Sequence, residues 1–153
     1  MIKIRKAQSR DLKGLQKLSS VTFIKNPEYD DDFVENFMMT SEGEKYMKRA
    51  IDAKNGVLFI AEEEGEMIGY INGDEMKVPY RKSKYFELEN LGVVPGTKRK
   101  GVGTKLLERI TKWARKKGYN RIYLESYAKN EEALKFYRKK GFRDIDISLE
   151  RKI

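Results

Sequence analysis

The chain has 153 residues, the size of one ordinary domain, with 37% charged residues and a formal net charge of +9. It contains neither cysteine nor histidine. That excludes disulfides, thiolate or imidazole metal sites and every nucleophile–histidine pair, so proton transfer falls to carboxylates, Tyr, Lys or ordered water.

The basic balance fits a nucleic acid, a polyanionic cofactor or a solvated surface equally and selects none of them. No apolar run approaches the roughly 20 residues of a membrane span, and the opening Met1-Ile2-Lys3-Ile4-Arg5-Lys6 lacks a signal peptide's apolar block. A cytoplasmic protein without membrane association is therefore expected. Abundant Lys and Glu, with only two glutamines, lean toward a thermophile's composition.

In chain order, Ile2 and Ile4 alternate with Lys3 and Arg5 as a short opening strand. Ser9 is placed to cap a helix carrying Leu12, Leu15, Leu18 and Phe23, which Asn26-Pro27 breaks. The acidic Glu28-Tyr29-Asp30-Asp31-Asp32 leads into a second helical region that ends near Asn55-Gly56. Val57–Ala61 and Met67–Ile71 read as a hairpin turning at Glu64-Gly65-Glu66. A basic loop, Lys77–Lys84, precedes a strand over Tyr85–Val94 that Pro95-Gly96 stops.

From Gly103 to Lys117, Leu106, Leu107, Ile110, Trp113 and Ala114 share one helical face. Lys116-Lys117-Gly118 ends that helix with cations at the negative end of its dipole and glycine beyond. Arg121–Ser126 is the next strand. Asn130 caps a helix that stops at Lys139-Lys140-Gly141, and Ile145–Leu149 alternates as a final strand. The expected order is β-α-α-β-β-β-α-β-α-β in a single domain over 1–153. The fold class is α/β (α+β), with a parallel pair beside an antiparallel meander.

The most informative stretch is Pro95-Gly96-Thr97-Lys98-Arg99-Lys100-Gly101-Val102-Gly103-Thr104, between a strand and a helix. Glycines there let successive backbone N–H groups point outward at a helix start, and three cations flank them, which makes a diphosphate cradle. A Walker A loop fails because Val102-Gly103 stand where Lys and Ser/Thr belong. A dinucleotide fingerprint fails at Leu106, where its third glycine should be.

This segment resembles the GNAT family of acyl-CoA N-acetyltransferases, whose [Q/R]-x-x-G-x-[G/A] signature reads here Lys98-Arg99-Lys100-Gly101-Val102-Gly103. Lys98 departs from the usual Gln or Arg. Downstream, Asn130 through Phe142 is similar to that family's N-x-x-A-x-x-x-Y-x-x-x-G-F segment, with Asn130, Ala133, Tyr137, Gly141 and Phe142 in the matching places. The resemblance covers nearly the whole chain, although the N-terminal third matches only in shape.

The resemblance implies acetyl-CoA as cofactor and transfer of its acetyl group to an amine without a covalent enzyme intermediate. It implies a mostly antiparallel sheet whose strand around Leu91–Val94 splays from the strand at Ile122–Ser126 to admit the pantetheine arm. Leu91, Val93 and Val94 would line that arm, and Lys98, Arg99, Lys100, Gly101, Val102, Gly103 and Thr104 would hold the pyrophosphate. Asn130, Ala133 and Tyr137 would also meet the cofactor. A backbone N–H near Val93 would polarise the thioester carbonyl, and Tyr137 would protonate the departing thiolate.

Glu87 takes the position of the histone-type base, with Glu89, Glu125 or a water chain as alternatives. Glu87 and Glu89 share a strand face if no bulge intervenes. Acceptor choice would fall to the Leu12–Gly56 helices and the Lys77–Lys84 loop. The acceptor is open among a protein N-terminus, a lysine and a small amine. A homodimer is compatible with the sequence, and a nucleic-acid partner is not expected because the usual motifs are missing. A non-catalytic acyl-CoA-binding regulatory module is the alternative function.

Overall fold

A computed structural model describes residues 1–97 and 101–153. Five strands form one sheet in the order β1-β2-β3-β4-β5: β1 (Lys3–Lys6), β2 (Val57–Glu63), β3 (Glu66–Met76), β4 (Tyr85–Val93) and β5 (Arg121–Tyr123). The first four pair antiparallel, and β4 and β5 pair parallel. The helices are α1 (Leu12–Thr22), α2 (Asn26–Tyr29), α3 (Ser41–Asp52), α4 (Val102–Lys116) and α5 (Glu131–Lys139).

The class is therefore the expected mixed, mostly antiparallel one. The β2–β3 hairpin turns through Glu64 (φ 52°) and Gly65 (φ 84°), whose left-handed conformations follow the twist of the flanking strands.

Strand alternation splits the core between the two faces of the sheet. On one face Phe59, Ile71, Phe86 and Leu88 meet the apolar stripe of α4, formed by Val102, Leu106, Leu107, Ile110 and Ala114. On the other, Leu58, Ile60 and Tyr70 meet Leu15 and Leu18 of α1 and Met47 of α3. Tyr70 is fully buried, and its hydroxyl donates to Ser19 Oγ at 2.9 Å, so no polar atom of the ring is left unpaired.

Several boundaries differ from expectation. Asn26-Pro27 opens a single turn, α2, instead of only breaking a helix, because proline is tolerated in a first turn. Ser9 lies inside a 3-10 turn, Ser9–Asp11, and the preceding Gln8 is its cap. There the Gln8 N–H donates to Asp11 Oδ2 at 2.8 Å. β3 runs five residues beyond Ile71: Asn72 and Gly73 are held between β2 and β4, and Asp74–Met76 pair with β4. A Cβ at Gly73 would overlap the Glu87 carbonyl and the Phe86 ring, so glycine is what lets the strands close there.

The predicted final strand at Ile145–Leu149 is not formed. Residues 143–153 take up no helix or strand and their side chains are exposed. Among the described residues, no helix is long and apolar enough to cross a membrane.

The N-terminal strand is pinned by charge. Arg5 donates to both oxygens of Asp11, at 2.7 and 2.9 Å, and to Glu62 at 2.6 Å. The Asp11 side chain is only 5% exposed, and its hydrogen bonds from Arg5 hold its carboxyl below the usual range. Removing Asp11 takes away both of its hydrogen bonds from Arg5, which keeps Glu62. Asp11→Ala is expected to cost about 2 kcal/mol in urea unfolding. Because the folded-state pKa of Asp11 lies below its unfolded value, the pair's contribution is present above about pH 4 and is lost as pH falls through the folded pKa. Wild-type stability should thus drop below about pH 4 more steeply than that of Asp11→Ala.

Candidate functional site

The site begins where β4 and β5 separate. They share three residue pairs, Tyr85–Arg121, Phe86–Ile122 and Glu87–Tyr123. Beyond Glu87, β4 continues through Leu88–Val93 with β3 on one side and, among the described residues, no strand on the other. An exposed run of strand backbone presents N–H and C=O groups to whatever extended chain lies beside it.

β4 also carries one extra residue. Asn72 pairs with Asn90, but the next residue, Gly73, pairs with Leu88, so Glu89 has no opposite number on β3. Such a bulge reverses the facing of everything after it. Phe86 and Leu88 pack toward α4 before it, Leu91 and Val93 do so after it, and Glu87, Glu89 and Asn90 are left toward α1 and α3. The shared face expected for Glu87 and Glu89 therefore survives a bulge placed directly at Glu89.

Those side chains line a cleft of about 1010 Å³. Its floor is the β4 segment 87–90, and its walls are Phe23 at the end of α1, Phe33 and Phe37 from the following loop, and Tyr46 of α3. Glu125, beyond β5, also lines it. The three carboxylates singled out in the sequence are brought to one cavity.

Their surroundings differ. Glu89 accepts from Tyr46 Oη at 2.6 Å and from Asn72 Nδ2 at 2.9 Å. Asn90 Nδ2 in turn donates to Tyr46 Oη at 2.6 Å and to Asn72 Oδ1 at 3.0 Å. Burial together with the Glu89 charge pushes the Tyr46 phenol up, so it remains a donor. Glu125 accepts from Tyr123 Oη at 2.8 Å. Glu87 has no hydrogen-bond partner among the described residues. Partial burial, and then the charges of Glu89 and Glu125, raise its pKa above the ordinary carboxylate value.

At the far end of β4 the chain turns into α4. Gly101 is the N-cap residue of α4 at φ 72°, a left-handed conformation, with no side-chain cap and nothing within 4 Å of where a Cβ would stand. The first-turn N–H groups of a helix have no acceptor in the preceding turn. Such a glycine-led start suits an anionic group in chemistry and in space. Val102 is buried against the sheet, while Gly103 and Thr104 are half-buried. The readings on Lys98, Arg99 and Lys100 lie outside the described residues.

A model of the acetyltransferase (GNAT) family matches residues 25–142. The chain belongs to that family.

Among its relatives, the uncharacterized N-acetyltransferase YjgM of Escherichia coli is 33% identical over 91 residues, covering 60% of this chain and 53% of its own length. An N-alpha-acetyltransferase of Sulfurisphaera tokodaii is 32% identical over 97 residues, covering 58% of each chain. The chain thus spans little more than half the length of these curated relatives. In fold it is similar to an aminoglycoside N-acetyltransferase, AAC(6')-Iy, solved in complex with CoA. That likeness has a TM-score of 0.78 at 19% identity and covers 100% of this chain and 95% of the other. A Bacillus halodurans protein solved as a tetramutant aligns with a TM-score of 0.85 at 20% identity over 99% of both chains.

In this GNAT chain the remaining predicted residues fall as follows. Leu91 and Val93 stand on the stretch of β4 that, among the described residues, pairs with β3 alone, their side chains against the α4 core. Val94 offers less main chain than expected. Its N–H donates to the Ile68 carbonyl at 2.9 Å, and its own carbonyl takes Thr97 N at 3.1 Å and Thr97 Oγ1 at 2.7 Å. Asn130 caps α5, with its Oδ1 accepting from Ala133 N at 3.2 Å. Tyr137 packs edge-on against Phe136 and Phe142. Burial raises its phenol to about 12, and its hydroxyl has no partner among the described residues.

Tyr137 lines a second cavity, on the other side of β5, instead of the acidic cleft, and Glu125 borders both. Sequence reasoning missed Tyr46, Asn72 and Asn90, which form the network that fixes Glu89. Polar residues amid a strand pattern, Asn72 and Asn90, were the available signal.

Replacing Glu89 by Gln removes a like charge from beside Glu87, so the Glu87 titration midpoint, followed by carboxyl NMR, should move down. Since Glu87 ionises less readily folded than unfolded, its contribution to stability falls as pH rises through its folded pKa. Glu87→Gln should therefore melt at a higher temperature than wild type at pH 7.

Proposed function

We propose that the chain is a single N-acetyltransferase domain that transfers the acetyl group of acetyl-CoA to a cationic primary amine. The observation that carries this reading is Glu87. It is a carboxylate without a hydrogen-bond partner among the described residues, and its pKa is raised by burial and by two neighbouring carboxylates. It stands at the point where β4 loses its β5 partner. The family and the fold likeness to a CoA-bound aminoglycoside N-acetyltransferase support the donor and an amine as acceptor.

The residues present fit the cofactor. The glycine-led start of α4 at Gly101–Thr104 would hold the pyrophosphate, with Lys98, Arg99 and Lys100 beside it in sequence. The free edge of β4 at Leu91 and Val93 would pair with the pantetheine arm, and Asn130 and Ala133 would flank it. When bound, acetyl-CoA supplies an acyl group activated as a thioester.

An amine arrives at neutral pH as an ammonium ion. Glu87, Glu89 and Glu125 attract it into the cleft, and Phe23, Phe33 and Phe37 offer apolar contact to its carbon skeleton. A carboxylate whose pKa is shifted toward neutrality is matched to accept a proton from that ammonium, directly or through water, which frees the nitrogen lone pair. Glu89 is held in place by hydrogen bonds from Tyr46 and Asn72 and orients the acceptor. Tyr137 keeps its proton at any ordinary pH and serves as the donor to the departing sulfur. Neither Cys nor His is needed.

Isothermal titration should show saturable acetyl-CoA binding, and thiol release should follow on adding a panel of primary amines. No binding at millimolar cofactor would end the proposal. Binding without thiol release on any amine would leave a regulatory acyl-CoA-binding module. Glu87→Gln and Tyr137→Phe should each lower kcat by at least about a hundredfold while leaving acetyl-CoA affinity within experimental error. An unchanged rate would return that residue to a structural role.

A further inference from the structure

The cleft over β4 differs in charge from the rest of the chain. The sequence carries 33 Lys and Arg against 24 Asp and Glu, yet among the described residues that line the cleft there is no Lys or Arg. Four carboxylates line it, from Glu35, Glu87, Glu89 and Glu125. Much of the remaining wall is apolar, built by Phe23, Ile24, Phe33 and Phe37. An acceptor with a carboxylate or phosphate of its own would meet like charge there and no cation to answer it.

Within this wall Glu89 is held unevenly. Tyr46 Oη and Asn72 Nδ2 both donate to the same oxygen, Oε2, at 2.6 and 2.9 Å. The other oxygen, Oε1, has no hydrogen-bond partner among the described residues. The Tyr46 hydroxyl is itself fixed, because it accepts from Asn72 Nδ2 at 3.0 Å and from Asn90 Nδ2 at 2.6 Å. Asn72 is 1% exposed, so the network is anchored in the core. One oxygen of Glu89 is thus tied down, and the other is left to accept from a ligand.

Glu87 stands two residues earlier on the same face of β4. A strand rise of roughly 3.3 Å per residue puts two such side chains about 6 to 7 Å apart. An extended chain advances about 1.2 Å per bond, since the three backbone bonds of a residue span roughly 3.5 Å. Two amines joined by four methylenes therefore lie about 6 Å apart. That separation matches the two carboxylates.

We propose that, in the acetyltransferase reaction on which this inference rests, the acceptor is a linear aliphatic diamine or polyamine held at two points. Its reacting nitrogen sits at Glu87 and its next ammonium at Glu89 Oε1, with Tyr46 the positioning residue that sets Glu89. The methylenes between run past the aromatic wall. At the reacting end the N–C bond forms and the thioester C–S bond breaks. Of the two protons that nitrogen gives up, Glu87 takes the first, and the second balances the one Tyr137 gives to sulfur. The second amine has an ordinary alkylammonium pKa, about 10, and keeps its charge throughout.

Thiol release from acetyl-CoA tests this with butane-1,4-diamine, butylamine, 4-aminobutanoate and ethane-1,2-diamine. The four-carbon diamine should exceed butylamine in kcat/KM by at least about tenfold, mostly through a lower KM. Ethane-1,2-diamine, too short to reach both carboxylates, should fall back toward butylamine, and 4-aminobutanoate should be the poorest. Tyr46→Phe and Glu89→Gln should each cut the diamine-to-butylamine ratio by at least about tenfold, an effect that a general loss of folding would not have. Equal turnover of diamine and butylamine would overturn the two-point acceptor and leave the acetyltransferase reading standing. So would an aminoglycoside or a peptide N-terminus used better than any linear diamine, or a ratio untouched by Tyr46→Phe. No thiol release on any amine would overturn both.

Discussion

One unmatched residue organises the site. Because Glu89 has no partner on β3, two consecutive residues of β4, Glu89 and Asn90, both face the α1 and α3 side. The strand then resumes with Leu91 and Val93 turned back into the α4 core. Without that insertion, the polar run and the apolar run could not both sit correctly on a strand whose side chains alternate strictly. The same short region is where β5 stops following β4. A kink in register and a gap in the sheet thus coincide, and together they set a row of acidic groups beside an open strand edge.

Three carboxylates in one cleft repel, and the fold answers that repulsion unevenly. Glu89 and Glu125 are each given a phenol, from Tyr46 and Tyr123, and Glu89 an amide as well. Glu87 has no hydrogen-bond partner among the described residues, and burial and then the others' field raise its pKa. A group kept away from its preferred ionisation costs the folded state something, which fits the role proposed for Glu87. The contrast with Asp11 is direct. There a carboxylate in poor contact with water is met by a guanidinium, and its pKa moves the other way.

Much of this was legible in the residues, and the rest was not, for physical reasons. The α4 stripe, the β2–β3 hairpin, the glycine turn and the Asn130 cap are local patterns, set by periodicity of two or 3.6 and by backbone needs at single positions. The strand expected over Met67–Ile71 runs on through Asn72 and Gly73, because two neighbours impose what local propensity refuses. The bulge leaves no local mark, since it is a relation between β3 and β4. Tyr46 lay unnoticed on a helix, because its partners are 26 to 44 residues away. The Ile145–Leu149 pattern is that of a strand, but a pattern specifies a face to be covered and not what covers it.

The division of the core between the two sides of the sheet has an evolutionary consequence. Helices α1 and α3, which help to wall the acidic cleft, rest on one apolar cluster, while α4, which opens at Gly101, rests on the other. A lineage built on this plan is free to reshape the walls of the cleft through residues that do not pack on α4.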